Sequence, residues 1–225
     1  ILGCEIYVSV GKHNERKVVP GGNAWGYHHL VLLCQNEIGY KNLMKLVSIG
    51  YLDGFYYKPR VDKDLLRQYN EGLIATSACL AGELTRFAAQ GDYGNCKKAA
   101  LEYSEIFPDR FYIEMQNHNI PEELASHDIL KKVAKELDIP LVATNDNHYC
   151  MEEHWEAHDV LFCLGTGKDR NDPNRHRYEP RQFYIKSADE MFKLFKDTPE
   201  ALENTLRIAE QCKVDIPMGT YHLPK

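Results

Sequence analysis

"RFYIEMQNHNIPEELASHDILKKVAKELDIPLVATN", residues 110–145, contains the alternation of secondary structure that decides the fold. Residues 110–116 alternate apolar and polar side chains, which is typical of a strand. Residues 120–138 have a proline in the first turn and apolar residues at helical spacing, so they predict a helix. The apolar face of this helix consists of Leu130, Val133, Ala134 and Leu137. Residues 139–145 form a second, fully apolar strand.

The same alternation continues toward the N-terminus. Further strands are predicted at the start of the chain ("ILGCE") and at 29–34 and 72–77, and further helices at 37–52, 81–91 and 93–107. Strands that alternate with helices predict a mainly parallel sheet or a β/α barrel. The chain begins abruptly within a strand-like stretch, so we expect it to be a fragment.

Two helices are predicted near the C-terminus, after a polar segment rich in glycine and proline at 165–182 that predicts a long surface loop. Ser187 and Glu190 form a capping box at the start of the first helix. Thr198-Pro199-Glu200 opens the second helix, whose apolar stripe is predicted to consist of Leu202, Leu206 and Ala209.

Composition excludes several classes of protein. The chain has 225 residues and 44 % hydrophobic residues, enough for one substantial domain. Its longest apolar runs fall well short of the roughly 20 residues of a membrane span, so we expect a soluble, cytoplasmic protein with no membrane partner. Seven cysteines without a CxxC pair argue against a disulfide framework, and most are expected to be buried thiols. The net charge of −6 argues against nucleic-acid binding without metal ions or a basic partner.

Residues capable of binding a metal follow several predicted strands. Glu5 lies in the first strand, Cys79 and His118 follow later strands, and Asp146 and His148 follow the strand at 139–145. Because ligands gather at the carboxyl ends of parallel strands, these exits predict one polar site. Each residue alone also has an ordinary structural interpretation: a capping aspartate, loop histidines, or a buried thiol.

Other patterns carry less information about chemistry. His29 lies at the start of a strand and is also compatible with a core histidine. "LGTGKD" (164–169) lacks the spacing of a phosphate loop. A triad of Cys79, His148 and Asp146 has no identifiable oxyanion hole. Arg60 is a candidate for the same cleft. The arginines of the polar loop, at positions 170, 175, 177 and 181, favour a solvated loop over a phosphate site.

Four motifs together resemble a known family. They are "HLVLLCQNEIGYKNLMKLVSIGYLDGFYYKPRVDKDLL", "EGLIATSACLAGEL", "LVATNDNHY" and "DTPEALENTLRIAEQC…YHLPK". They are similar to the PHP (polymerase and histidinol phosphatase) domain of bacterial replicative DNA polymerase III alpha subunits. The resemblance covers residues 1–225 as a single domain. It implies a distorted (β/α)7 barrel, incomplete at its N-terminal end, with residues 213–225 forming the join toward a polymerase palm.

The resemblance also implies a divalent metal cluster of zinc, manganese or iron. Its implied ligands are Glu5, His29, Cys79, Asp146 and His148, with His118 as a further candidate, and Arg60 is the candidate contact for a substrate phosphate. The histidines that the family places on its first strand are absent from these residues, which implies that they lie upstream of Ile1. A complete cluster is therefore not expected from this chain alone, and the chain alone is expected to be inactive.

Three functions are compatible with this resemblance. The first is a part of a replicative DNA polymerase, a nucleotidyltransferase whose absent polymerase domain uses magnesium, with a metal-dependent 3′-5′ exonuclease in the PHP domain. The second is an inactive scaffold that supports the polymerase and a separate proofreading subunit. The third is a free-standing phosphoesterase. The implied partners are DNA, a sliding clamp and a proofreading subunit.

Overall fold

The computed structural model describes residues 1–22, 25–216 and 218–219. Its contacts divide the chain into two compact units. The first unit comprises residues 1–76, 102–111 and the described residues from 206 onward, and the second comprises 77–101 and 112–205. Both contain strands and helices, which confirms the α/β class. Closure into a barrel and the treatment of the chain as one domain remain predictions.

Five strands lie in the first unit. They are β1 (Gly3–Ser9), β2 (Tyr27–Cys34), β3 (Phe55–Tyr56), β4 (Lys58–Val61) and β5 (Leu73–Thr76), in the order β3-β4-β1-β2-β5. The ladders β1–β2 and β2–β5 are antiparallel, and only β1–β4 is parallel among the pairs that include β1 or β2. The expectation of a mainly parallel sheet is therefore wrong for this unit. The reason is the connection between β1 and β2, whose described residues, 10–22 and 25–26, contain no helix, and β2 lies directly beside β1.

The helices of the first unit begin at side-chain caps. Helix α1 (Glu37–Leu52) starts at Asn36, whose carboxamide oxygen accepts the Gly39 N–H at 3.1 Å. Helix α2 (Lys63–Gln68) starts at Asp62, whose carboxylate accepts the Leu65 N–H at 3.0 Å. The first turn of α1 lies against Gly72, and a Cβ on Gly39 would approach the Gly72 carbonyl oxygen to 1.8 Å. Only glycine at position 39 permits this contact.

The second unit contains the βαβ unit predicted from residues 110–145. Strands β6 (Phe111–Met115, whose first residue belongs to the first unit) and β7 (Leu141–Ala143) are parallel, and helix α5 (Pro121–Leu137) connects them. Helix α3 (Glu83–Ala89) packs against α5. All five residues of β6 are buried, so the predicted alternation of exposure does not occur there.

The remaining helices differ in part from the predictions. Helix α6 (Trp155–Thr166) was not predicted, and it includes the first two residues of the expected loop at 165–182. Helix α7 (Ala188–Leu194) has the predicted capping box. Helices α4 (Tyr93–Ile106) and α8 (Pro199–Gln211) have residues in both units.

The predicted apolar stripe of α8 is wrong. Leu206 is 68 % exposed, whereas Ala201, Asn204 and Ile208 are buried. Asn204 Nδ2 donates a 2.7 Å hydrogen bond to the Leu141 carbonyl, which satisfies a polar side chain on the buried face. Because the buried face of α8 includes the polar Asn204, the spacing of apolar residues alone does not identify that face.

All seven cysteines lie within the described residues, and none of them forms a disulfide. Cys34, Cys96 and Cys163 are buried and Cys150 is exposed, so the expectation that most are buried is only partly met. Burial, with a smaller contribution from the Asp92 carboxylate, raises the pKa of Cys96 to about 12.

Two further predictions concern membrane-spanning helices and the C-terminal segment. In the described part of the chain, no helix has both the length and the apolarity needed to cross a bilayer. Much of the predicted join at 213–225, namely residue 217 and residues 220–225, lies outside the described residues.

Candidate metal site

Glu5 and His29 are in contact on one face of the β1–β2 ladder. In the antiparallel register Glu5 pairs with Val31 and Tyr7 pairs with His29, so Glu5 and His29 are diagonal neighbours. The Glu5 Oε1–His29 Nδ1 distance is 3.0 Å. The two side chains are 38 % and 21 % exposed, so this face is open to solvent.

The Glu5 carboxylate also affects neighbouring groups. Burial, followed by the Glu5 charge, raises the pKa of the Tyr7 hydroxyl, and the same two causes raise the pKa of the Cys4 thiol. The single negative charge of Glu5 therefore acts on both neighbouring side chains of β1. A carboxylate oxygen beside an imidazole nitrogen is a donor set that suits zinc, manganese or iron.

Cys79 lies in the loop that follows β5, in the second unit. The preceding residue, Ala78, has φ of 59°, a backbone conformation uncommon for residues other than glycine. The Ala78 N–H donates to the Glu114 carboxylate at 3.1 Å, and Ser77 Oγ accepts the Glu114 N–H at 2.8 Å. These bonds fix the loop that carries the half-buried Cys79 thiol.

Glu114 itself is a buried carboxylate with several hydrogen bonds. Besides Ala78, it accepts hydrogen bonds from Gln116 Nε2 at 2.9 Å and from the Thr144 hydroxyl. Glu114 is not among the candidate residues predicted from the sequence. An acidic side chain in the middle of an otherwise apolar strand is the signal that would have found it, because an unpaired buried carboxylate is costly.

Asp146 and His148 follow β7, also in the second unit. Asp146 has φ of 41°, which turns the chain sharply after the strand. His148 is exposed, and its Nδ1 lies 2.6 Å from the Asp146 carbonyl oxygen. Its Nε2 makes no hydrogen bond to the residues that the structure describes. A histidine with Nδ1 bound to a backbone carbonyl and Nε2 open has the orientation common among metal-binding histidines.

Aromatic rings surround His148. The His148 ring lies 4.5 Å from that of Tyr178 and 5.6 Å from that of Phe183, and the His158 ring lies 5.7 Å away. Burial, followed by the nearby His148, lowers the pKa of His158 and outweighs the opposing effect of Asp159. These rings restrict the orientation of the His148 imidazole.

His118 has a different environment from His148. Its side chain is completely buried, its Nδ1 lies 2.7 Å from Glu123 Oε1, and its Nε2 lies 2.9 Å from the Asn145 carbonyl oxygen. Its ring stacks on Phe183 at 4.1 Å. A metal ion bound to His118 would have to replace one of these hydrogen bonds.

Arg60, the candidate phosphate contact, is 2 % exposed. Its guanidinium donates to the carbonyl oxygens of Gly54 at 3.2 Å, His13 at 3.1 Å and Glu15 at 2.8 Å, and it lies over the Tyr56 ring. These contacts attach residues 13–15 to β4. The assignment to a substrate phosphate stays a prediction, and it would require these hydrogen bonds to break.

Comparison with known proteins identifies the family. The profile of the PHP domain matches residues 1–118, which is more than half of the chain. The chain belongs to the PHP domain family. Of the predicted ligands, Glu5, His29 and Cys79 lie well within the matched part of this PHP domain and His118 at its end, whereas Asp146 and His148 lie beyond it.

Similar proteins extend the relationship to the whole chain. The PHP domain chain is 47 % identical to the DNA polymerase III subunit alpha of Borreliella burgdorferi, 44 % to that of Treponema pallidum and 39 % to that of Thermus aquaticus. Each alignment covers 100 % of the chain and 19–20 % of the relative. The chain therefore spans about a fifth of the length of these relatives.

Proposed function

We propose that this PHP domain is part of a bacterial replicative DNA polymerase and serves DNA replication in the cytoplasm. The similarity over the full chain to alpha subunits of DNA polymerase III supports this. The implied context is DNA together with a sliding clamp and a proofreading subunit. DNA synthesis itself would belong to another part of such a protein, where magnesium assists nucleotidyl transfer.

Within this context we propose that the domain holds divalent metal ions of zinc, manganese or iron. Glu5 and His29 would provide one carboxylate and one imidazole, and Cys79, Asp146 and His148 the remaining ligands, with His118 as a further candidate. The observation that carries the proposal is the 3.0 Å contact between Glu5 and His29 on a half-exposed strand face. A carboxylate, an imidazole and a thiolate are the donor types that these metals select.

The proposed reaction is 3′-5′ exonucleolytic hydrolysis of a phosphodiester. Divalent ions held by these ligands would supply a nucleophilic hydroxide and would stabilise charge on the phosphate. The chain's own residues fix the ligands. The Glu5 carboxylate orients His29, the Asp146 carbonyl orients His148, and the Glu114 hydrogen bonds fix the loop of Cys79.

The alternative is an inactive scaffold, and two observations favour it. Both ring nitrogens of His118 are bound to protein groups, and the Arg60 guanidinium is bound to three backbone carbonyls. Two of the predicted functional side chains therefore stabilise the fold directly. A scaffold needs these contacts but needs no open position for metal or phosphate.

Elemental analysis and a nuclease assay separate the two functions in the full-length protein that carries this domain. The enzymatic proposal expects about two to three metal ions per chain and removal of a mismatched 3′ nucleotide from a primer. His148→Ala should abolish that removal, and His154→Ala, an exposed histidine nearby, should leave it unchanged. Absence of bound metal, or equal degradation by the His148→Ala variant, would exclude it. The 225-residue chain alone is expected to show little nuclease activity.

A further inference from the structure

A cavity of about 330 Å³ lies in the second unit, between α6 and the loop that follows it. This volume is at the lower end of the range for sites that bind small molecules. Its lining combines aromatic side chains with four arginines, which are Arg170, Arg175, Arg177 and Arg181. The loop arginines that the sequence assigned to a solvated surface therefore line a common concave site.

The cavity lining includes an ion pair between a buried arginine and a half-buried aspartate. Arg175 is 8 % exposed and forms a bidentate contact with Asp159, with nitrogen–oxygen distances of 2.6 and 2.7 Å. Arg170 binds Glu156 at 2.6 Å and lies 3.5 Å from Asp159. Because Arg175 binds it, the pKa of Asp159 is held below its usual range. The Asp159 charge is thereby compensated before any ligand binds.

Arg177 and Arg181 retain unused donors. Among the described residues, the hydrogen bonds of the Arg177 guanidinium come from Nη2 alone, to the carbonyls of Arg170 at 3.3 Å and Asp172 at 3.0 Å. Arg181 makes no hydrogen bond to the described residues, and its nearest carboxylate oxygen, from Glu179, is 3.8 Å away.

Arg181 is held in an unusual position. Its guanidinium carbon lies 3.4 Å from the centroid of the Trp155 ring. Its backbone φ is 65°, a value that residues other than glycine rarely adopt. Such backbone conformations are often found at functional sites. Stacking against an indole leaves the N–H groups of the guanidinium edge free, and that edge matches the geometry of a phosphate.

The charge of the cavity is opposite to that of the chain. Four arginines face two lining carboxylates, Asp159 and Glu179, while the chain as a whole carries −6. The neighbouring Glu156 is already paired with Arg170. Arg181 lies within ion-pair distance of Glu179, at 3.8 Å, so the positive charge without a paired side-chain carboxylate in this group is that of Arg177, beside aromatic rings.

We propose that this cavity binds a nucleoside phosphate, either a free nucleotide or the terminal nucleotide of a DNA strand. Arg177 and Arg181 bind the phosphate, and the aromatic wall that includes Trp155 contacts the base, as aromatic side chains do in single-strand binding. The residues involved differ from the proposed metal ligands, so the site does not depend on metal.

Titration calorimetry of the 225-residue chain in EDTA tests the proposal. The ligands are thymidine 5′-monophosphate, thymidine, inorganic phosphate and a 5′-phosphorylated oligothymidylate. We expect the monophosphate to bind with a dissociation constant in the millimolar range or tighter, and phosphate or thymidine alone to bind on the order of tenfold more weakly. With Trp25→Phe as background, Trp155 is the remaining tryptophan, and its fluorescence should change on binding.

Variants assign the contacts. Arg177→Gln and Arg181→Gln should each weaken binding of the monophosphate about tenfold, and Arg207→Gln on α8 should leave it unchanged. Arg181→Lys keeps the positive charge but cannot bind a phosphate through two parallel N–H groups, so it should show an intermediate loss of affinity. Tighter binding of the oligothymidylate would identify a strand end as the source, and equal binding would identify a free nucleotide.

Three results would overturn the proposal. They are no saturable heat or fluorescence change with the monophosphate, unchanged affinity in Arg177→Gln and Arg181→Gln, or inorganic phosphate that binds as tightly as the monophosphate. Because metal is chelated throughout, these results leave the exonuclease proposal unaffected.

Discussion

Glu5 Oε1 lies 3.0 Å from His29 Nδ1, and the contact crosses the antiparallel ladder diagonally. The two residues are 24 positions apart in sequence and come together only because β2 returns beside β1 in this register. A shift of one residue would turn one of the two side chains to the opposite face of the sheet. The ladder therefore determines whether a carboxylate and an imidazole meet.

Replacement of either residue should weaken metal binding by the chain. We expect Glu5→Gln and His29→Ala to reduce the affinity for Zn²⁺ by about 10–100-fold, because each removes a ligand or the group that orients one. Competition with a zinc-sensitive dye measures this. Glu37→Gln, which removes an exposed carboxylate paired with Lys41, serves as the control. Equal zinc affinity in Glu5→Gln and the parent chain would contradict the assignment.

Replacement of His118 should mainly affect stability. His118→Ala leaves the Glu123 carboxylate without its imidazole partner and removes the stacking on Phe183. The expected loss in the free energy of unfolding is about 2–4 kcal/mol, measured by urea denaturation. The exposed His154→Ala should cost little. A stable His118→Ala protein with reduced zinc affinity would instead show that His118 is a ligand.

Replacement of Arg60 should release the segment that contains His13 and Glu15. Arg60→Met leaves both carbonyl oxygens without a donor, so we expect a loss of about 1–3 kcal/mol in stability. The exposed trypsin sites of this segment are Lys12, Arg16 and Lys17. Cleavage there should be faster in Arg60→Met than in Arg67→Met, which removes a half-exposed arginine of α2. Equal cleavage rates would show that Arg60 does not hold the segment.

Acid should weaken the start of α7. The hydrogen bond from Tyr184, followed by those from Ser187, lowers the pKa of Glu190 from 4.5 to about 2. Because the folded pKa is lower than the unfolded one, the carboxylate stabilises the fold above about pH 4.5, and this contribution is lost as the pH falls toward 2. The stability difference between the parent chain and Glu190→Gln should shrink over that range in urea titrations. A constant difference for Glu190→Gln over this range would contradict the prediction.

The elements that the sequence predicted correctly are those with strong local signals. In α5, Pro121 begins the helix and Leu130 and Val133 are buried, as the helical spacing indicates. Helix α6 was missed because its apolar residues are not confined to one side: Leu161 and Leu164 are exposed while Cys163 is buried. Local periodicity predicts an element only where tertiary packing uses one face of it.

The environment of individual site residues was less accessible to sequence reasoning. Nothing near His118 in the sequence reveals that the Asn145 carbonyl accepts from its ring, since 27 positions separate them. Arg60 likewise binds carbonyls 45 and 47 positions away. Residue type predicts which metal-binding or phosphate-binding groups the chain contains. Long-range hydrogen bonds determine whether those groups are already bound to other parts of the protein.

Cys150, the one cysteine of the seven that is exposed, offers a route to spectroscopy of this domain. It follows His148 by two residues, whereas Cys34, Cys96 and Cys163 are shielded and Cys4, Cys79 and Cys212 are half-buried. A brief reaction with a maleimide probe should therefore modify Cys150 first. A nitroxide attached there would report, through paramagnetic broadening, the arrival of Mn²⁺ at nearby side chains without any substitution in the chain.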